Sequence, residues 1–542
     1  MANSSRSAKA VKTSFPQSSS PIDSAAPTVT PSRFEKLIDK LKHVKGAIVA
    51  IAGVGAVASG LVGYYTTYKT VANTKAISSP SASAIKVGIN SNAIAVLPFV
   101  NMSEDKANEY FSDGLSEELL NLLAQVPQLK VIARTSSFSF KGKEVDVATI
   151  AKTLNVGNVL EGSVRKSGNT LRITAQLIRT SDSTHLWSQT YDRQMTDVFT
   201  VQDEIANAVV AELKIKLLPE QAIAHQASQS TKPEAYTQYL LGRNFNHLGN
   251  LASRKLAKAA LQQAVALAPE YAPAYAELAN AEYFIAENET SAAAIKAGLA
   301  QALIWAEQAI RLAPSLADGY RVRGFLRQGA VDISGAVADY RQAIKLNAGD
   351  SDNQRLYASW LSYQGQFEAA LAAAQQAVAL DPLSADALQI LGLVQYEHGE
   401  YAAAQRPLNS ALQLAPTHVL ARNNLGMSYL LQGNTAQARQ TFEAQGEAFW
   451  RSYGLALVAH SQGKKTEADT SLAALIKSDG DSSAYQIATI YAWSGQHEPA
   501  LAWLQRAYAQ QDGGLISVKI DPLLKNLHGD VRYEALVKKL GL

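Results

Sequence analysis

The order of apolar and polar positions divides the chain into stretches of different period. From Gly46 to Tyr65, twenty residues pass without a charge. A helix of that length spans about 30 Å, the thickness of a hydrocarbon core. Tyr64 and Tyr65 close it, where aromatic rings favour the membrane interface. The pattern therefore predicts a transmembrane helix over 46–65. Between 92 and 218 the pattern changes every ten residues or so. AIAVLPFV (93–100) reads as a buried strand. Ser116 followed by Glu117 and Glu118 reads as a helix start, a capping hydroxyl with two acids at the positive end of the dipole, and the helix runs to Val126. LKVIA (129–133) is a second strand and VDVATIAKTLNV (145–156) an amphipathic helix. Three strands follow, turned at Ser167-Gly168-Asn169 and Ser181-Asp182-Ser183, and a long helix over 198–217 closes a compact α/β domain.

From about 233 to 514 the apolar period is helical throughout, and small residues recur every 34 positions. Gly365, Gly399 and Gly433 keep that spacing, as do Pro382 and Pro416, and so do Ala336, Ala370, Ala404 and Ala438. Four consecutive units follow, 317–350, 351–384, 385–418 and 419–452. This is the tetratricopeptide period: two antiparallel helices per unit, with Gly or Ala where they touch (Gly324, Ala358, Gly392, Gly426) and Pro after the second helix. Looser units on both sides bring the expected array to about eight helical hairpins, with a capping helix over 515–542. The resemblance to tetratricopeptide proteins implies a superhelix whose concave groove is lined by positions 2, 5, 9 and 12 of each first helix. Position 5 gives a polar ladder, Arg321, Arg355, Gln389 and Asn423. It is expected to hydrogen-bond an extended peptide or a partner's carboxylates. Phe325, Tyr396 and Met427 are the expected apolar anchors beside it.

The α/β region carries further motifs: Leu97-Pro98-Phe99, Phe111-Ser112-Asp113-Gly114, Arg134-Thr135-Ser136-Ser137, Leu160-Glu161-Gly162-Ser163-Val164 and Leu186-Trp187-Ser188. With these, 92–218 resembles the bacterial TolB N-terminal-like or FlgO-like domain. In that family the domain sits between a membrane helix and tetratricopeptide repeats. Relatives carry a winged-helix DNA-binding domain of the CadC type or a nucleotide cyclase domain ahead of the membrane helix. The first 45 residues here are too short and too polar for either, so neither activity is carried over. The resemblance implies a regulatory or scaffold setting and no catalytic residues.

Composition narrows the chemistry. Residues 1–45 are expected to be a disordered cytoplasmic arm and 66–91 a Ser/Ala-rich linker. Eight Lys and Arg precede the apolar stretch, against Lys69, Lys75 and Lys86 after it. The positive-inside rule then places the N-terminus in the cytoplasm and the body in the periplasm, as a single-pass inner-membrane protein. Gly55, Ser59 and Gly63 at four-residue spacing suit a homodimer through the anchor. The chain has no cysteine, which excludes disulfides, thiolate metal sites and a Cys nucleophile. A net charge of +3 argues against a nucleic-acid partner. No phosphate loop, HExxH or GxSxG motif occurs. Ser163-Val-Arg-Lys166 falls on a strand, which points the Ser and the Lys to opposite faces. Glu117 and Glu118 read as capping residues. The expectation is a multidomain chain without enzymatic activity, metal or cofactor. It binds other proteins through its groove as a scaffold or sensor, with the bilayer bound through 46–65. The alternative is a receptor whose α/β domain senses a small ligand and relays it through dimerisation of the membrane helix.

Overall fold

The computed structural model describes residues 91–215, 232–289, 291–330 and 332–542. All of them belong to one compact unit, Gly88–Leu542. The arm, the apolar stretch 46–65, the linker 66–91 except its last residue, and the end of the helix predicted over 198–217 lie outside the described residues. Among the described residues no helix is long and apolar enough to cross a membrane. The inner-membrane localisation read from the sequence is corrected on that finding and is not carried forward.

The strand predicted over 93–100 is two strands. β1 (Ala93–Val96) has all four residues buried, and β2 (Val100–Asn101) resumes after Pro98, which has no N–H to give a ladder. The next helix, α1 (Glu109–Ala124), begins seven residues before Ser116. Ser116 is therefore an interior residue. Its Oγ donates to the Ser112 carbonyl at 2.9 Å and accepts from the Phe99 N–H at 2.8 Å, tying the strand exit to the helix. β3 (Lys130–Ile132), the short α2 (Arg134–Phe138) and α3 (Val147–Leu154) follow. α3 is capped by the Asp146 carboxylate on the Thr149 N–H, at 2.8 Å. β4 (Asn158–Ser167), β5 (Thr170–Arg179) and β6 (Thr184–Gln194) form two hairpins at the predicted turns. α4 (Val198–Glu212) ends the domain.

The sheet order is β3-β1-β4-β5-β6, with β2 also beside β4. β1 runs parallel to both β3 and β4, and β4, β5 and β6 are antiparallel. β1 is central and covered on both faces, which is why its sequence does not alternate. One face packs Ile94, Val96, Ile173 and Leu177 against Leu115, Leu119, Ile205 and Val209 of α1 and α4. The other packs Ala93, Ala95 and Val159 against Ile150 and Leu154 of α3.

Eight helical hairpins follow among the described residues. They are α5 (Pro233–His247) with α6 (Leu251–Leu267), α7 (Ala272–Glu287) with α8 (Ala292–Leu312), and α9 (Ala317–Gly329) with α10 (Ile333–Leu346). Then come α11 (Ser351–Tyr363) with α12 (Phe367–Leu380), α13 (Ala385–Glu397) with α14 (Tyr401–Leu414), and α15 (Val419–Leu431) with α16 (Thr435–Glu443). The last are α17 (Ala448–Ser461) with α18 (Lys465–Asp479) and α19 (Ala484–Trp493) with α20 (His497–Gln510). Gly365, Gly399 and Gly433 make the turns inside three hairpins at φ of 76°, 85° and 77°, the left-handed conformation that favours glycine.

The chain ends in two 3₁₀ turns, Gly513–Ser517 and Pro522–Leu527, and α21 (Val531–Lys539). This segment packs against the inner side of the array. Leu515, Val518, Leu524, Leu527 and Tyr533 share one core with Tyr340, Trp360 and Tyr363, and Leu523 joins Tyr396, Tyr453 and Ile487 in another.

Candidate functional site

α9, α11, α13 and α15 open four consecutive 34-residue units, so equivalent positions recur on one side of the superhelix. The second position holds Asp318, Asp352 and Asp386 in the first three of them, and the fifth holds the ladder Arg321, Arg355, Gln389 and Asn423. Within the ladder the arginines are already engaged. Arg321 Nη2 donates to Asp318 Oδ1 at 2.7 Å, and Arg355 Nη2 to Asp352 Oδ1 at 3.1 Å. His418, the last residue of the third unit and the cap of α15, lies 3.0 Å from Asp386 Oδ1. The carboxylates are the outer members of these pairs. The side chains of Asp318, Asp352 and Asp386 are 45%, 57% and 65% exposed, against 22% and 23% for Arg321 and Arg355. Asp350 caps α11 through the Asn353 N–H at 2.7 Å.

The titration of these acids reflects burial and their cationic neighbours. The Asp350 carboxyl is pushed up to about 6: burial raises it, Arg321 opposes, and the Asp352 and Asp318 carboxylates raise it further. Burial also raises Asp352, but Arg355 and Arg321 more than offset it and hold that carboxyl below its usual range. The bond to His418 holds Asp386 low. Gln389 and Asn423 are 4% and 8% exposed. Asn423 Oδ1 and Arg321 Nε have no hydrogen-bond partner among the described residues.

The apolar members of the expected groove are placed differently. Phe325 is half-exposed and meets Tyr283 edge-on at 4.8 Å. Tyr396 and Met427 are buried in one core with Leu523 of the C-terminal segment. A partner reaches them only by displacing that segment. Fully buried apolar side chains contribute about 1.5–3 kcal/mol each. Leu515, Val518, Leu523, Leu524, Leu527 and Tyr533 together thus contribute on the order of 10 kcal/mol or more before ordering costs. What stays exposed beside the ladder is the row of carboxylates Asp318, Asp352 and Asp386.

The α/β domain borders the same side of the array. The Ala133 N–H donates to the Leu380 carbonyl at 2.8 Å, the Ser136 N–H to Asp381 Oδ1 at 3.0 Å, and the Leu383 N–H to Ser136 Oγ at 2.8 Å. The Ser136 hydroxyl also bonds Asp381. Gly349 approaches the end of α1 so closely that a Cβ there would lie 2.5 Å from the Ala124 carbonyl oxygen. These are the loops that lead into α11 and α13, so the docked domain fixes where Asp350, Asp352 and Asp386 sit.

A second anchorage joins α1 to α5. Arg243 Nη2 meets Glu117 Oε1 at 2.9 Å and Arg243 Nη1 meets Glu118. Arg134 Nε and His247 Nε2 reach Glu117 at 3.1 and 3.0 Å. Burial raises the Glu117 carboxyl, but Arg243, His247 and Arg134 together hold it far below the usual range. Glu117 and Glu118 are thus interface acids in the second half of α1, which corrects their reading as caps. The pocket lined by Asp113, Glu117, Arg134, Arg243 and His247 has no space for a water molecule. Sequence reasoning missed this docking role. Its signal was present: the polar motifs 111–114 and 134–137 carry Asp113, Arg134 and Ser136, charged and hydroxyl groups that a free-standing domain does not need to bury.

Comparison with known proteins agrees with the two-part architecture. Residues 90–208 match the family described as HilA/YgeH-like transcriptional regulator, second domain, and tetratricopeptide repeat models match 358–417 and 391–448. A curated protein of Rhizobium meliloti (strain 1021), named "Putative adenylate cyclase 3", is 40% identical over 190 residues, which are 34% of this chain and 32% of that protein. The chain therefore spans about a third of the length of the curated relative it matches. Among solved structures, Pseudomonas aeruginosa PilF is 18% identical over 38% of this chain and 90% of its own, at a TM-score of 0.31. A tetratricopeptide repeat protein from Parabacteroides merdae is 16% identical over 49% of this chain and 99% of its own, at 0.35. Likenesses this distant carry no functional argument.

Proposed function

We propose that the chain is a protein-interaction scaffold that holds an extended segment of a partner protein along the slot formed by α9, α11, α13 and α15. The observation that supports it is the repetition, at one spacing on consecutive helices, of the exposed carboxylates Asp318, Asp352 and Asp386, paired with the deeper Arg321, Arg355 and His418. An extended chain matches such a repeat because its own groups recur regularly. The apolar remainder of the hollow is core, which leaves the polar edge as the contact surface. On this reading the α/β domain, with its motifs similar to TolB N-terminal-like and FlgO-like domains, frames the slot and performs no catalysis. The cyclase activity in the relative's name stays with that protein.

Photo-crosslinking in cells tests the proposal. A benzoylphenylalanine at position 386, inside the slot, should give a discrete crosslinked band. The same residue at position 376, an exposed site on the second helix of its hairpin, should not. Replacing Arg321 and Arg355 by Ala removes the groups that orient Asp318 and Asp352 and should weaken the band at 386. Equal bands from 386 and 376 would count against the slot.

A further inference from the structure

We infer that β6 is an association edge, on which a second copy of this chain adds its own β6, antiparallel, about a two-fold axis at Gln189. The inference is independent of the slot. The two ends of the sheet differ. β3, at one end of the order β3-β1-β4-β5-β6, leads directly into the Ala133 N–H bond to Leu380, so the array stands against that end. β6, at the other end, runs eleven residues, Thr184–Gln194, and pairs only with β5 among the described residues.

The phase of the ladder shows which backbone groups face outward. The Met195 N–H donates to the Asn169 carbonyl at 2.8 Å, just beyond the Thr170↔Gln194 pair. Bonded and non-bonded pairs alternate along an antiparallel ladder. Gln189, Tyr191 and Arg193 therefore turn their backbone groups towards β5, and Ser188, Thr190 and Asp192 turn theirs away. The Asp192 carbonyl accepts from Arg193 Nη1 at 3.1 Å. Among the described residues nothing bonds the outward N–H and C=O of Ser188 and Thr190. Ser188, Gln189 and Thr190 are also exposed.

A free edge of this length is a template for another strand, and native edges carry Lys, Pro or charges that prevent pairing. The stretch Ser188-Gln189-Thr190-Tyr191 has none of these. The adjoining charges are already held, Asp192 by Arg172 at 2.7 Å and Arg193 by Glu204 at 3.4 Å. Self-pairing fits the strand's own sequence. With Gln189 on the axis, Ser188 of each copy faces Thr190 of the other. Both turn their backbone groups outward, so they bond in each direction as the ladder requires. Their hydroxyls meet, which is a favourable cross-strand pair. Asp192 faces Leu186 and Arg193 faces His185, so no carboxylate meets another and no arginine meets another. A second β6 is already a strand, whereas a disordered segment would lose entropy on becoming one.

The chain has no cysteine, so a single introduced one reports the register. Gln189→Cys faces itself across the axis in a non-bonded pair, where side chains approach closely enough for a disulfide. Mild oxidation of the full chain should give a linked dimer from Gln189→Cys and not from Thr184→Cys, which faces Gln194. Sedimentation of the unsubstituted full chain should show a monomer–dimer equilibrium at micromolar concentration. Gln189→Lys and Gln189→Glu each set like charges face to face and should raise the dissociation constant about fivefold, and mixing the two should restore it. Thr190→Pro deletes an N–H that β5 does not use and should leave monomer. A thermal melt checks that each variant folds. A full chain that stays monomeric, a dimer unchanged by the charge variants, or crosslinking at 189 no stronger than at 184 would each overturn the inference.

Discussion

At the residue scale, ionisable groups taken out of water decide the most. Arg243 is nearly buried between Glu117 and Glu118, one side chain from the array serving two acids from the α/β domain. Arg243→Met removes the guanidinium that Glu117 and Glu118 share, leaving Glu117 to Arg134 and His247, and should lower stability by about 3 kcal/mol in urea unfolding. A loss below 1 kcal/mol would show that the acids find other partners. Because the folded Glu117 carboxyl lies below its unfolded value of 4.5, its contribution is full above that pH and is lost as pH falls towards the folded value. Glu397 runs the other way. Burial pushes its carboxyl up to about 8, while the Ser362 hydroxyl bond lowers it and Asp521 raises it. The folded chain keeps that proton between pH 4.5 and 8, where the unfolded chain has released it, so stability declines as pH rises across this interval. Glu397→Gln should flatten the decline and be the more stable form at pH 9. Parallel pH profiles for the two proteins would refute it.

At the element scale the helices depend on where glycine lets side chains enter. The Phe442 ring on α16 lies between Gly426 of α15 and Gly454 of α17; a Cβ on Gly426 would stand 2.6 Å from the ring, and one on Gly454 2.1 Å. Gly454→Ala should therefore cost about 1–3 kcal/mol despite alanine's better helix propensity, read as a lower melting temperature. An unchanged melt would mean that the ring has room to turn. The 34-residue recurrence of such glycines and alanines makes the hairpins legible in the sequence, because each packing contact is repeated. The start of α1 is not legible. Its first turns contain Ser112, Asp113 and Gly114, poor helix formers, and Ser116-Glu117-Glu118 imitates a cap. The helix extends backwards because these residues face the array, with Gly114 so close to Leu240 that a Cβ would lie 2.7 Å from it. A sequence read locally does not contain that neighbour. The spacing of the ladder was legible for the same reason as the hairpins; the burial of Gln389 and Asn423 was not. Its engagement by Asp318 and Asp352 three residues earlier was legible too, as i,i+3 pairs, but which partner faces solvent depends on the curvature of the array.

At the scale of the whole molecule, the α/β domain, the array and the C-terminal segment are mutually packed. Phe111 and Leu115 share a continuous core with Tyr236, Leu240, Leu261 and Tyr271. Removing 513–542 would not open a usable groove. It would bare Tyr340, Trp360, Tyr363 and Tyr396, and the truncated chain should bind a hydrophobic dye and melt earlier than the full chain. A truncated chain with unchanged melting and no dye binding would show that the segment is a dispensable cover. The most direct test of the slot is hydrogen–deuterium exchange of the full chain with and without the partner isolated through the crosslink at position 386. The account predicts slower exchange in the first turns of α9, α11, α13 and α15, around Asp318, Asp352, Asp386 and Asn423, with the outer helices unchanged. Protection confined to the exposed face of β5 and β6, or to the second helices of the hairpins, would contradict it.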